Sequence, residues 1–515
     1  MEAKLQDPAV TPVSKGKAKK PYPYNFKTLF GFSTMSFAQA GGAVLYMYFF
    51  MIYLTDYAGI DQLVGKVGFA ATLATTVLLV ARIIDIVDDP FQGWVMDNAK
   101  WGRFGKYKKF AFLSIFLLVF STIALFSIPY FVKADKVLVS IWVTLFYVMW
   151  EMGWAFSSRS LLIQSITNDV ALRAKFTNIP RIWEVLILLP FITVLSIITA
   201  VNGKLDNISL SITIVIATLM GLMAVFSIIG VTLVKEGRIE ENTAEIKTKI
   251  SVKDIWGMLK MNRPMFVNIL ATIFSGFTWT ISTATLLYFI KYAYCFDPLT
   301  GAVNAEKFSL LSGINGVMAV ATNVLGALFA PMVIKLVGDF LKTVKIGFLG
   351  MAIVSTTIFI LNLTGVLLIS PILFFVLFFL QGFIMGIIYV PQQLITLETI
   401  DYVEYKMHRR MGGLVYSTAN VIGKAQGALN TVLIGSILVA IGYSVDATTG
   451  NYVGDLARIP TMLNSFMLVS GLVPAFLVLI AWATYQFFYP ITPTIRKEMS
   501  EELAARRSTD PTNLV

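Results

Sequence analysis

Apolar runs long enough to cross a bilayer recur along this chain. Residues 208–234, ISLSITIVIATLMGLMAVFSIIGVTLV, contain no Asp, Glu, Lys or Arg, and about 20 helical residues span the hydrocarbon core. Inside lipid every backbone N–H and C=O must be paired within the protein, which leaves helices or a closed barrel. The period-two alternation of barrel strands is absent, so the runs read as helices. Composition agrees: of 515 residues 57% are hydrophobic and 14% charged, with a mean hydropathy of +0.74, whereas charged residues make up about 25% of an ordinary globular domain. The expected fold class is all-α and integral to the membrane.

About twelve transmembrane spans are expected, near 26–54, 66–96, 109–132, 137–165, 174–201, 208–234, 264–294, 306–336, 341–363, 368–398, 410–443 and 460–489. The long polar connection, 235–263, falls after the sixth, and its SVKDIWGMLK segment suits an amphipathic helix on the membrane surface. The chain therefore divides into a cytoplasmic tail (1–25), a six-helix bundle (26–234), a cytoplasmic linker (235–263), a second six-helix bundle (264–489) and a second cytoplasmic tail (490–515). Two such bundles form the major facilitator architecture.

The formal charge of +11 does not point to nucleic acid. Lys and Arg gather in alternate loops, in KGKAKK, KWGRFGKYKK, the linker and EYKMHRR, while DYAGIDQ and YSVDATTGNYVGDL are poor in them. By the positive-inside rule both termini are cytoplasmic, in a multi-pass protein of the cell membrane. The first 24 or so residues read as a tail and not as a signal peptide. The single cysteine, Cys295, excludes an intramolecular disulfide, and the single histidine, His408, sits among loop charges.

Against this background ARIIDIVDD (81–89) places three carboxylates inside an apolar run. At about 100° per residue Asp85, Asp88 and Asp89 share one helix face. Like charges so close oppose one another's ionisation, and a bound Na⁺ or a proton removes the conflict. Pairing of Arg82 with Asp85, or with an acid on a neighbouring helix, is the structural alternative. Glu151, Arg181 with Glu184, and Lys424 are further charges within spans, and opposite signs on different helices suggest a shared cavity. Trp150, Trp154 and Tyr389 suit either stacking on a sugar ring or ordinary packing.

ARIIDIVDDPFQGWVMDNAKWGRFGKYKKF and DYVEYKMHRRMGGLVYSTANVIGKAQGAL resemble signatures of the glycoside-pentoside-hexuronide:cation symporters, the melibiose permease-like family of the major facilitator superfamily. The resemblance implies that Asp85 and Asp89 bind the coupling cation, Na⁺, Li⁺ or H⁺, with Lys424 close to cation and sugar. It implies sugar-binding roles for Arg181 and for Glu151, and it sets Tyr389 where the melibiose permease has a stacking tryptophan. Trp154, Gln392 and Asn420 complete the substrate-binding candidates. Asp88 stands where the family often has Asn or Thr, which leaves the cation open. Gln39 is the polar residue near the first-helix position where the melibiose permease has an aspartate, which leaves the sugar open.

The expected function is sugar:cation symport by alternating access, with no cofactor beyond the coupling ion. The partners are a small sugar, a monovalent cation or proton and the lipid bilayer, with no nucleic acid. Asp97, Arg103, Asp401, Glu404, Lys406 and Arg410 are candidates for ion pairs of a cytoplasmic gate. A lysolipid carrier and a non-transporting sugar sensor are the alternatives. No metal cluster, nucleophile–base pair or phosphate-cradling loop suggests an enzyme.

Overall fold

The computed structural model describes residues 26–66, 68–97, 99–102, 105–131, 135–157, 159, 162–163, 187–236, 262–407, 436–440, 443–446 and 451–509. The first span is a chain of helical pieces: α1 (Phe26–Thr34), α2 (Phe37–Val44), and two wide five-residue turns at Leu45–Phe49 and Tyr53–Tyr57. After it come α3 (Phe69–Asp97), α4 (Lys108–Leu125), α5 (Lys136–Ala155), α6 (Val194–Leu205) and α7 (Ile208–Leu233). Beyond the linker lie α8 (Arg263–Tyr294), α9 (Ala305–Val337), α10 (Phe340–Leu363) and α11 (Pro371–Met407). The last described helices are α12 (Ile459–Met467), α13 (Val473–Phe488) and α14 (Pro493–Thr509).

Eight helices or helical chains among the described residues are long and apolar enough to cross a membrane. This is a multi-pass membrane protein of helices. Of the expected fifth span, 174–201, residues 187–201 are described, whereas the eleventh, 410–443, lies largely outside the described residues. Outward-facing side chains are apolar, including Ile353, Ile372 and Phe476, as helices that meet lipid require.

Helix boundaries follow local chemistry. Asn262 accepts from the Met265 N–H at 3.1 Å to cap α8, with Pro264 in the first turn. Asn304 caps α9 and Asp339 caps α10 in the same way, and Gly338 ends α9 at φ +78. Asp61 accepts from the N–H groups of Gly68 and Ala70, both at 2.7 Å, at the start of α3, where a helix's positive end favours a carboxylate.

Two groups of helices emerge from the packing. In the first, α1 lies on α7 and α4 lies on α5 and α7; in the second, α9 and α10 lie on α11, and α13 on α8 and α10. The closest approach is between α9 and α11. A Cβ on Gly326 would stand 2.2 Å from the Phe383 carbonyl oxygen, and one on Gly386 would stand 2.3 Å from that of Asn323. Backbone meets backbone there, which only glycine allows.

The two ends of the molecule differ in character. The basic loops, the end of α3 and α14 lie at one end. At the other meet the Tyr53–Tyr57 turn, the end of α8 and the 443–452 segment.

Candidate functional site

The best-built polar site in the described chain lies at the end remote from the basic loops. The wide turn Tyr53–Tyr57, closed by the Ala58 N–H on the Tyr53 carbonyl at 2.8 Å, carries Asp56 into the protein. From the second group α8 brings Lys291, whose Nζ lies 2.7 Å from Asp56 Oδ2. Tyr443 O–H is 3.0 Å from each carboxylate oxygen. Its one proton is therefore committed to Asp56, so the Tyr292 hydroxyl, 3.0 Å away, donates to the Tyr443 oxygen. Thr55 O–H donates to Asp56 Oδ1 at 2.6 Å, and Tyr288, 3.0 Å from Thr55, donates in turn. A dry ion pair is tolerable only when hydrogen bonds satisfy its remaining polar atoms, and these hydroxyls supply them.

Around this latch the same segments meet again. Gln62 Nε2 donates to the Val445 carbonyl at 2.7 Å, and Ser444 Oγ lies 3.3 Å from Asp61. Farther along, Ser196 Oγ on α6 donates to the Ser309 carbonyl on α9 at 2.8 Å. A Cβ on Gly316 would stand 2.0 Å from Ile192 Cγ2, another close crossing of the two groups. The latch joins residues 235 apart in the chain, and the sequence reading passed over it. The signal was present in Lys291, an ammonium inside the apolar run LLYFIKYAYCF.

Of the expected cation ligands, Asp85, Asp88 and Asp89 lie on α3, an unbroken 29-residue helix. Asp85 and Asp89 are one turn apart on it. Their side chains lie outside what is described, as do those of Asp97 and Glu404. Arg103, Arg181, Glu184, Arg410, Asn420 and Lys424 are outside the described residues altogether.

The expected substrate residues fall in two places. Gln39 on α2 accepts from Ser157 Oγ at 2.7 Å, and Arg159 Nη1 donates to Ser36 Oγ at 2.9 Å. These residues, with Ser114, border a small polar recess of the first group. Arg159 was not singled out by the sequence reading. On α5, Glu151 is buried and Trp154 is partly exposed. Trp150 stacks on Tyr46 with centroids 4.1 Å apart, the ordinary packing role. On α11, Tyr389 is half exposed, while buried Gln392 donates to Ser275 Oγ at 3.1 Å.

At the basic end Asp401 is half-buried and Lys406 exposed, its ammonium 5.0 Å from the centroid of the Tyr405 ring. Two anchors hold this end, one within each group. Glu236 accepts from the Tyr107 N–H at 2.9 Å and from the Lys108 N–H at 3.3 Å at the start of α4. This fastens the KWGRFGKYKK loop, in which Gly105 sits at φ +94. In the second group Arg496 of α14 bridges Asp339, at 2.6 Å, and Glu398. Its guanidinium also lies 4.3 Å from the centroid of the Phe340 ring.

Helix architecture and a two-sided interface of this kind occur in many carriers; the family is decided by sequence. Residues 30–493 match the model of the MFS/sugar transport protein family. The chain belongs to that family. The transporter is 25% identical over 499 residues to a glucuronide carrier protein homolog of Escherichia coli (strain K12), covering 94% of this chain and 96% of that one. It is 25% identical over 427 residues to an isoprimeverose transporter of Lactiplantibacillus pentosus, covering 80% of each. Its fold is like that of a D-xylose-proton symporter of known crystal structure, at a TM-score of 0.54 and 14% identity over 90% of this chain and 95% of that one. These relatives are transporters and not enzymes, in agreement with the sequence reading.

Proposed function

We propose that the transporter is a sugar:cation symporter of the cell membrane that works by alternating access. The observation that carries this reading is the buried Asp56–Lys291 pair, which joins the two helix groups at the end remote from the basic loops. With both termini cytoplasmic, as the loop charges indicate, the latch lies on the outer side. Asp85 and Asp89, with Asp88 beside them on α3, bind the coupling cation, Na⁺, Li⁺ or H⁺. Glu151, Arg181 and Lys424 take the sugar, a glycoside, pentoside or hexuronide. Neutralising the carboxylates with a cation raises sugar affinity, and by linkage the sugar tightens the cation by the same factor. Pairs among Asp97, Arg103, Asp401, Glu404, Lys406 and Arg410 close the inner side when the latch opens.

Support comes from the family and from relatives named as symporters and sugar carriers; nothing favours the lysolipid-carrier or sensor readings. Uptake of labelled sugars into proteoliposomes under an imposed Na⁺, Li⁺ or H⁺ gradient tests the proposal. One sugar should accumulate with one cation, and Asp89→Asn should abolish accumulation while the protein still folds. Unchanged accumulation in that variant would remove Asp89 from the cation site.

A further inference from the structure

Beneath the latch, α8, α9, α10 and α11 line a cavity of about 60 Å³, open on part of its boundary. Phe375, Phe378 and Met385 make much of its wall apolar, and Asn315, Thr322 and Gln381 add neutral polar groups. No charged side chain is among the described residues that line it. Two of the neighbouring amides are committed within the protein. Gln381 Nε2 donates to Ser355 Oγ at 2.9 Å, and Asn323 Nδ2 to the Ala319 carbonyl at 2.8 Å. Asn315 differs: it is 4% exposed and its Nδ2 has no acceptor among the described residues. A buried amide donor left unpaired is costly, so the group calls for an oxygen supplied from outside the fold.

The chemistry of that oxygen is constrained by the wall. A carboxylate would meet no cation here and would lose its hydration, which is unfavourable. An uncharged ring carrying ether or hydroxyl oxygens, with an apolar face to set against Phe375 and Phe378, satisfies both demands. The cavity also points toward the substrate region. Phe378, Gln381, Met385 and Tyr389 follow one another at three- and four-residue steps along one face of α11, with Tyr389 about 6 Å beyond Met385.

We propose that this cavity is a subsite for the uncharged second unit of a glycoside, either an aglycone or a second sugar ring, with Asn315 Nδ2 donating to one of its oxygens. The inference rests on the sugar-transport reading above and adds to it a place that distinguishes a glycoside from the free monosaccharide.

The test is equilibrium binding to the purified full-length protein of paired probes: phenyl glycosides of glucose, galactose and xylose, and the three free sugars. The wild type should bind one phenyl glycoside more tightly than its free sugar. Asn315→Leu should weaken that glycoside about tenfold and move the free sugar less than about twofold. Ala319→Phe, which fills the cavity and leaves Asn315 in place, should produce the same selective loss and serves if the first variant does not fold. Equal losses for glycoside and free sugar, or no loss in either variant, overturn the subsite while the sugar reading stands. Failure of the wild type to bind any of the probes overturns both.

Discussion

Lys291 Nζ and Asp56 Oδ2 meet at 2.7 Å with their side chains 4% and 1% exposed, although one belongs to α8 and the other to the turn that ends the first span. Removing one member leaves a buried charge without its counterpart, a loss of about 3–5 kcal/mol. Lys291→Ala and Asp56→Ala should each lower the thermal transition markedly. Tyr443→Phe, which keeps the ring and loses one hydrogen bond to a charged group, should cost about 1.5–3 kcal/mol. The exchange Asp56→Lys with Lys291→Asp should recover part of the loss. Additive losses in the double variant would mean that the two charges do not act as a pair.

Cys295 reports on the latch because it is buried and its N–H binds the Lys291 carbonyl at 3.2 Å. A membrane-impermeant maleimide added to right-side-out vesicles should modify it slowly in the wild type and much faster in Asp56→Ala. Equal rates in the two proteins would show that the thiol's exposure does not depend on the ion pair.

The same thiol gives a pH dependence. Burial pushes its pKa up to about 11, against the opposing pull of Lys307 and Lys291. Only the thiolate reacts, so the wild-type rate should climb about tenfold per pH unit from 7 to 9 and go on climbing. In an opened latch the thiol returns toward its ordinary value of about 8.5, and the rate should level off above that pH. A wild-type profile that levels off near 8.5 would contradict the closed latch.

Gly105 and Glu236 set the loop before α4. A side chain at Gly105 would require φ +94 and would place its Cβ 2.0 Å from Glu236 Oε2. Gly105→Ala should therefore destabilise the protein by more than the roughly 1 kcal/mol difference that glycine and alanine show in ordinary backbone. Glu236→Ala, which removes the acceptor for two amides at a helix start, should cost about 0.5–2 kcal/mol. Thermal denaturation in detergent measures both, and an unshifted transition in Gly105→Ala would refute the contact.

Arg496 ties α14 to Asp339 and Glu398. Burial pushes the Asp339 carboxyl up, but the Lys342 amide and the Arg496 guanidinium outweigh it and hold the group below its ordinary 3.8. A depressed carboxylate pKa adds stability at pH values above the unfolded value, and that stability is lost as pH falls through the folded one. Docking of α14 should weaken below about pH 4, seen as faster proteolysis after residue 493 by an acid-active protease. Asp339→Asn should weaken docking at neutral pH and flatten this acid response. A wild type whose cleavage rate does not change between pH 5 and 3 would rule the linkage out.

What could be read in advance followed the range of the interaction. The spans are local facts, written in runs such as 208–234, and the structure places helices along most of them. The capping residues Asn262, Asn304 and Asp339 are local too. Lys291 was conspicuous as a charge among Leu, Tyr and Phe, but its counterpart lies 235 residues away, and no spacing rule connects them. Nor does composition say that Tyr443 donates to Asp56. The segment 490–515, assigned to a cytoplasmic tail, carries α14, whose largely polar sequence holds only the narrow apolar row Ile495, Met499 and Leu503, of which Met499 and Leu503 are buried. Arg496 adds two carboxylate partners that belong to other loops and helices. The paired aspartates of α3 were visible from spacing alone, because one helical turn is a property of the backbone.

The glycine contact between α9 and α11 governs how the carrier can move. With Gly326 and Gly386 in backbone contact, the two helices have no slack to slide or part, since any gap would forfeit the close packing that only glycine permits. Whatever opens the latch must swing both together, carrying the space between them unchanged in shape. Under the alternating access proposed above, the compartment would act as a rigid cup on a rocking arm: a substrate ring seated in it would be tipped from one side of the membrane toward the other without being squeezed or released on the way.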